Sequence, residues 1–251
     1  SRNLVFEVKY AYEDNNYNNS YAGQTTADFN ANPHQQYVGY QLGEYNTEHH
    51  TSYAKFRAEL SPNVKNVTTG YYNYFTRDWF KLDKVVSGGS SCSLETVVSK
   101  AATGNCGTAA LNILKGSTAG QLRYKGNDRQ YGAYGIMNET DFAFNTNIFG
   151  KNIGHKLKVG YKYHYDYHHR DQQSHNFTQA AGGLITAHAS GVTTGGSSDD
   201  RRETSYGHVA YFEESATINN FVASFGARFE AVEMHYRNAA GGQGTTNDTK
   251  E

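Results

Sequence analysis

Hydrophobic and polar side chains alternate without a break along His155-Lys156-Leu157-Lys158-Val159-Gly160-Tyr161-Lys162-Tyr163-His164-Tyr165-Asp166-Tyr167-His168. Leu157, Val159, Tyr161, Tyr163, Tyr165 and Tyr167 fall in one phase. Lys156, Lys158, Gly160, Lys162, His164, Asp166 and His168 fall in the other. Successive side chains of a β-strand point to opposite faces, so the segment predicts a strand with one apolar-aromatic face and one polar face. Sandwich strands alternate too, but usually run to about 5–6 residues. A longer strand ringed with tyrosine suits a sheet that has lipid on one side and water on the other.

The same period predicts six more strands. The first covers about Asn3 to Glu13, with Leu4, Phe6, Val8, Tyr10 and Tyr12 opposite Glu7, Lys9 and Glu13. A polar stretch from Asp14 to about Thr47 follows. The second strand, about Glu48 to Leu60, sets Ala54, Phe56, Ala58 and Leu60 against Tyr53, Lys55, Arg57 and Glu59; Ser61-Pro62-Asn63 turns the chain. The third covers about Val64 to Leu82. An insertion from Asp83 to Lys125 holds both cysteines and a short helix over Leu94 to Ala101. The fourth strand is about Asp128 to Thr146, and Phe149-Gly150-Lys151-Asn152 turns into the fifth, described above. A Gly/Ser/Thr/His-rich loop spans Arg170 to Asp200. The sixth strand is about Arg202 to Ala216, where Val209 and Tyr211 compete with Ala210 and Phe212 for the apolar side. After Ile218-Asn219-Asn220 the seventh runs from Phe221 to Tyr236, and the chain ends in a polar loop.

Long and short connections therefore alternate, as in outer-membrane barrels with long extracellular loops and short periplasmic turns. Charges fall on one face of most strands, and an Arg or Lys facing lipid at the midplane would cost about 2–4 kcal/mol. The expected fold is all-β: an antiparallel transmembrane β-barrel portion. Single-chain bacterial barrels use even strand numbers from about eight upward, so seven strands predict an unclosed sheet.

Composition sharpens this picture. The 251 residues include Tyr 21, Phe 13, Gly 26 and only Pro 2, which fits an all-β chain with aromatic girdles. A net charge of −1 provides no basic excess for nucleic acid. Mean hydropathy is −0.75, and no run is apolar enough for a membrane helix. Ser1-Arg2-Asn3 leads straight into a strand, so either a leader was removed or the chain is a piece of a longer one, and the piece is the expectation.

Several segments resemble TonB-dependent outer-membrane receptors, most closely the ferric-citrate branch. Tyr21-Ala22-Gly23 and Asp28-Phe29-Asn30-Ala31-Asn32-Pro33 are similar to that branch's Tyr-x-Gly and Asp-Phe-x-x-Asn-Pro loop pattern. Phe75-Thr76-Arg77-Asp78-Trp79-Phe80-Lys81-Leu82 resembles its Phe-x-Arg-x-Trp-x-Lys-Leu strand. Gly160 to Asp166, followed by Arg170, resembles its Gly-x-Arg-Tyr-His-x-Asp segment, with Lys162 in place of Arg. Gly226-Ala227-Arg228-Phe229-Glu230 is similar to Gly-x-Arg-Tyr-Glu. The resemblance implies about seven strands of a barrel of about 22, with residues 1–251 forming a partial barrel domain that lacks the plug and the C-terminal strands. It implies a monomeric barrel in the bacterial outer membrane that contacts lipid and takes up a ferric chelate such as ferric citrate. TonB would act through the absent plug. Transport rather than catalysis is expected, with no cofactor. Nickel or haem is the alternative cargo; a passive porin or a soluble β-sandwich binding module is the alternative of another class.

Candidate site residues follow. Guanidinium forks match carboxylates, so Arg77, Arg123 and Arg129, flanking one long loop, and Arg57 on a polar strand face are candidate ligands for the chelate. Pairing with Glu59, Glu230 or plug carboxylates is the plainer role for such arginines. His164, Asp166 and His168 share a face and could hold a metal; wet strand tips also tolerate histidine. Glu48, His49 and His50 form a second small cluster, and His34, His175 and His188 fall in predicted loops. Cys92 and Cys106 suit a disulfide worth roughly 3 kcal/mol by loop closure, with a metal pair or free thiols as alternatives. The tyrosines of the fifth strand suit a lipid-facing girdle better than a sugar platform. Asn66-Val67-Thr68 and Asn138-Glu139-Thr140 match glycosylation sequons without meaning in this setting. No nucleophile elbow, phosphate loop or zinc-protease motif occurs.

Overall fold

The computed structural model describes residues 3–99, 103–187, 196–240 and 245–250. Its strands are β1 (Leu4–Asn18), β2 (Glu44–Ser61), β3 (Val64–Ser87), β4 (Ser90–Ser93), β5 (Gly120–Ile148), β6 (Lys151–Gln179), β7 (Ile185–Ala187), β8 (Asp199–Ile218), β9 (Phe221–Asn238) and β10 (Thr245–Lys250). One antiparallel sheet runs β1-β2-β3-β5-β6-β8-β9-β10, with β4 on β3 and β7 on β6. The sheet does not close on itself among the described residues.

The alternating segments are strands, but their ends lie further out than the pattern suggests. β5 and β6 each run for 29 residues. Half of the predicted Arg170–Asp200 loop is strand, and His175 lies within β6 rather than in a loop. His188 lies outside the described residues. The predicted helix shortens to α2 (Leu94–Val98), with Lys100 and Ala101 outside the described residues. The expected polar C-terminal loop contains β10, an eighth strand on the main path.

Register joins the separate strand faces into two continuous surfaces. Phe6 pairs with Phe56 and Val8 with Ala54. Tyr134 pairs with Tyr165, which pairs with Tyr206; Val159 pairs with Phe212, which pairs with Ala227. All lie on one apolar face. It is left bare: Phe6, Phe225 and Phe229 are 68%, 63% and 69% exposed. The ambiguous strand is thereby resolved. Ala210 and Phe212 join the apolar face, while Val209 and Tyr211 take the polar one. Besides His208 and Glu233, the apolar face carries a polar group: Asn66, Thr68, Asn138 and Thr140 hydrogen-bond to one another across β3 and β5. Pairing within the group removes most of the cost of placing amides there.

Two glycines let tyrosines bridge strands on the polar face. A Cβ on Gly135 would strike the Tyr163 carbonyl and the Tyr71 hydroxyl. Tyr71 instead crosses above Gly135 and its hydroxyl meets His164 Nδ1 at 2.5 Å. Tyr211 lies over Gly160 in the same way. Each ring covers backbone that a glycine leaves bare, tying three strands side by side.

Towards the long-loop end, the apolar face is covered by a helical cap. It comprises α1 (Thr26–Ala31), a 3-10 turn at Val38–Tyr40, α2 and α3 (Thr108–Leu114). A β-bulge between Leu82 and Lys84 puts Leu82 and Val85 on the same side. With Leu122, Tyr124 and Phe177 they meet Tyr40, Leu94, Val97, Ala110, Ile113 and Leu114 in a large buried cluster. A disulfide joins Cys92 to Cys106 within the cap, with Cα atoms 5.4 Å apart. Asp28 fastens α1 to the end of α3: it receives Lys115 Nζ at 2.7 Å, the Tyr37 hydroxyl at 2.5 Å and the Thr25 hydroxyl at 2.7 Å. The lysine and the two hydroxyls hold its carboxyl down at about 2. This contribution to stability is present above the ordinary carboxylate range and is lost as pH falls through about 2.

The opposite ends carry tight turns. Phe149 sits fully exposed at φ 50, followed by Gly150 at φ 73. A bulky residue is strained in the left-handed region, whereas asparagine tolerates it and suits two-residue hairpin turns. Replacing Phe149 by Asn should stabilise the chain by roughly 0.5–1 kcal/mol, read as a higher urea midpoint with an unchanged m-value.

Candidate functional site

Four arginines stand in one row across the polar face. Arg77 of β3 pairs with Arg129 of β5, Arg129 with Arg170 of β6, and Arg170 with Arg201 of β8. Three strand spacings make the row about 14 Å long. Two residues along the strands lies a row of Trp79, Asn127, Gln172 and Asp199. Gln172 Nε2 donates to Asn127 Oδ1 at 2.8 Å, which fixes the middle of that row.

Like charges so close repel, and only part of the charge is met. Asp199 receives Arg201 at 2.7 Å and Arg170 at 3.1 Å. Arg201 therefore holds the Asp199 carboxyl below its usual range. Burial pushes the Arg170 guanidinium downward; Asp199 opposes this, and Arg129, Arg201 and Arg77 add to it. Among the described residues Arg129 reaches only the Tyr131 hydroxyl, at 3.1 Å, and Arg77 lies against the Trp79 ring. Among the described residues, the Nε atoms of Arg77, Arg129 and Arg170 are buried without a hydrogen-bond partner, as is Trp79 Nε1. Buried donors of this kind are normally satisfied. The row is therefore suited to an anion with several carboxylates, each able to accept from a guanidinium fork.

An aromatic group flanks the row. Tyr21 and Tyr45 meet the Trp79 ring edge-on at 5.5 and 5.7 Å, and Lys81 Nζ lies 3.6 Å above Tyr21 and 4.2 Å from the Trp79 ring.

The structure divides the sequence-derived candidates. Arg77 and Arg129 are neighbours in the row. Arg123 is farther along β5, where its Nε donates to Asn176 at 3.2 Å. Arg57 lies near the other end of β2, 3.6 Å from Glu7. Glu59 pairs instead with Lys65, and Arg228 with Glu230. Arg170 and Arg201 are not among the sequence-derived candidates. A sequence signal for them exists: Arg77-Asp78, Asp128-Arg129, Arg170-Asp171 and Asp200-Arg201 are four Arg/Asp doublets on successive long strands. Their order reverses each time, as antiparallel neighbours in register require.

His164, Asp166 and His168 do share the polar face. His164 Nε2 is 3.1 Å from Asp166, while His168 turns to Glu203 at 3.1 Å and stacks on Tyr131 at 4.6 Å. Among the described residues no group of three or more His, Cys, Asp or Glu is arranged to hold a metal ion. The Glu48-His49-His50 cluster splits: His50 meets Glu48 at 2.7 Å, and His49 packs on Phe75 on the other face.

The aspartates of the doublets form their own row on the opposite side: Asp78, Asp128, Asp171 and Asp200. Burial, then a hydrogen bond with Asp78, then the charges of Asp78 and Asp171 push the Asp128 carboxyl up to about 7. The folded chain thus keeps a proton that the unfolded chain loses. Stability should fall as pH rises from about 4 to about 7 and then level off. Replacing Asp128 by Asn should flatten that slope, measured as urea midpoints across this pH range.

No family model matches the chain, and no curated protein matches it. Solved structures do. The ferric citrate transporter FecA, in its unliganded form, superposes with a TM-score of 0.62 at 17% identity, covering 100% of this chain and 30% of the transporter. The siderophore receptor PiuA from Acinetobacter baumannii gives 0.59 at 12% identity, covering 99% of this chain and 36% of the receptor. The chain thus spans about a third of the length of either neighbour. At these identities the likeness is one of fold: the chain is built as an unclosed, antiparallel portion of a receptor-type β-barrel wall.

Proposed function

We propose that this chain is part of the wall of a TonB-dependent receptor in a bacterial outer membrane, and that its arginine row receives an anionic ferric chelate of the citrate kind. The observation that carries the reading is the row itself: Arg77, Arg129, Arg170 and Arg201 side by side, with three Nε atoms buried and unpartnered. In this reading the bare apolar face meets lipid and the polar face lines the barrel interior. The row stands just beyond the apolar band, towards the long loops, where a ligand entering from outside would first meet the wall. Plug, remaining strands and TonB contact belong to the rest of a longer monomeric receptor, of which residues 1–251 are a partial barrel domain. Catalysis has no place in this scheme.

Metal held directly by His164, Asp166 and His168, as nickel or haem uptake would use, has less support because His168 is already turned to Glu203. A β-sandwich would cover its apolar face with a second sheet, and the exposed phenylalanines do not favour that.

The test is ligand binding by the full-length receptor in detergent, with ferric citrate, nickel and haem as separate probes. Ferric citrate should bind, and binding should weaken as salt screens the guanidiniums. Retention of nickel or haem, with none of ferric citrate, would overturn the choice of cargo.

A further inference from the structure

A second cationic site lies on the other side of the sheet. One row crosses the apolar side immediately beyond the aromatic band: Asp14, Glu48, Thr76, Gln130, His169, Arg202 and Arg237 in strand order. Its character changes along its length, from two carboxylates on β1 and β2 to two guanidiniums on β8 and β9. Arg202 and Arg237 are direct cross-strand partners, and both are exposed. Neither has an ion-pair partner among the described residues, unlike Arg57, Arg170, Arg201 and Arg228.

Their surroundings fix the level at which they sit. Tyr134, Tyr165 and Tyr206 make a continuous run of rings across β5, β6 and β8, with centroids 4.9 and 4.8 Å apart, and His235 extends it onto β9 at 5.9 Å. Tyrosines collect where hydrocarbon gives way to headgroups. Arg202 and Arg237 lie two to four residues from His235 and Tyr206, roughly 7–14 Å along the strands. That is headgroup depth. The two guanidiniums also line a cavity of about 270 Å³ with His169, Asp171, Asp200 and Ala239. Its two carboxylates are engaged: Asp200 by His169 at 3.2 Å, and Asp171 by the Gly196 N–H at 2.7 Å. Neither carboxylate pairs with Arg202 or Arg237 among the described residues, so both guanidinium forks are left to donate outward.

We infer that Arg202 and Arg237 clamp the phosphate of an outer-leaflet lipid headgroup against the outside of β8 and β9. Guanidinium forks bind phosphate oxygens in pairs, and two of them in register can share one phosphate monoester. The acyl chains would lie along the apolar face below, over Ala210, Phe212, Ala227 and Phe229. This site is separate from the arginine row, which uses the other face of the same strands. It rests on the membrane reading proposed above.

The test uses the full-length receptor in phosphatidylcholine bilayers containing a small fraction of phosphatidic acid, a phosphate-monoester lipid. Lipid retained after detergent extraction is counted by native mass spectrometry. The receptor should keep phosphatidic acid over phosphatidylcholine. Arg202→Gln/Arg237→Gln should lose at least about tenfold of that retention, whereas Arg202→Lys/Arg237→Lys, keeping the charge, should preserve most of it. Inorganic phosphate should not displace the lipid. Equal retention by the glutamine variant, or displacement by inorganic phosphate alone, overturns the lipid clamp. A receptor that fails to enter the bilayer overturns the membrane reading as well.

Discussion

Replacing both Arg129 and Arg170 by glutamine should lower affinity for ferric citrate at least about hundredfold. The two residues are the centre of the row, with Arg77 and Arg201 outside them. A hydrogen bond to a charged group contributes about 1.5–3 kcal/mol, and each 1.4 kcal/mol is a factor of ten. The double variant removes two such partners and leaves Asp199 with Arg201 alone. Folding should not suffer in step, because removing like charges from a crowded row relieves repulsion. Calorimetric titration of the full-length receptor, with thermal melts alongside, separates the two effects. Arg57→Gln is the control: it loses the Glu7 pair far from the row and should leave affinity unchanged. Equal affinity in the double variant would place the ligand elsewhere.

The second large effect concerns the opposite face. Ala210→Arg should destabilise the full-length receptor in lipid by about 2–4 kcal/mol. Ala210 is exposed between Tyr161 and Phe229 in the middle of the apolar band, so the new side chain meets no clash. Its cost comes only from placing a guanidinium in hydrocarbon. Ser205→Arg, on the polar face of the same strand, should change stability by less than about 0.5 kcal/mol. Equilibrium unfolding from liposomes in guanidinium chloride measures both. If the two substitutions cost the same, the apolar face does not meet lipid.

Much of the wall is legible in the pattern of side chains along the chain. A period of two over ten or more residues allows one assignment of faces, which is why β1, β2, β6 and residues 221–230 of β9 divide cleanly; farther along β9, Glu233 lies opposite Tyr206 on the apolar side. β8 does not, since Val209, Ala210, Tyr211 and Phe212 are apolar in both phases. Only the pairing of Phe212 with Val159 and Ala227 settles it. Strand ends escape the pattern for a related reason. Beyond the band, Leu122, Tyr124 and Phe177 continue the alternation but face a protein cap, so the sequence there reads as loop. β10 reads as polar throughout, and its pairing with β9 carries no periodic signal. The candidate site is half visible in the sequence. Arg77 and Arg129 stand out beside a long insertion, while Arg170 and Arg201 need a register that single-strand patterns do not contain.

The helical cap rests on the side of the sheet away from the arginine row. In the proposed receptor reading, α1, α2 and α3 cover the outward surface of the strands where they rise past the membrane, and the inward surface is left for the ligand. The parts most visible from outside the cell are then separate from the parts that recognise nutrient. In that reading, exposed positions of the cap can change under pressure from antibodies or phages while the cargo stays the same, so related chains should diverge fastest in the cap and slowest at the four Arg/Asp doublets.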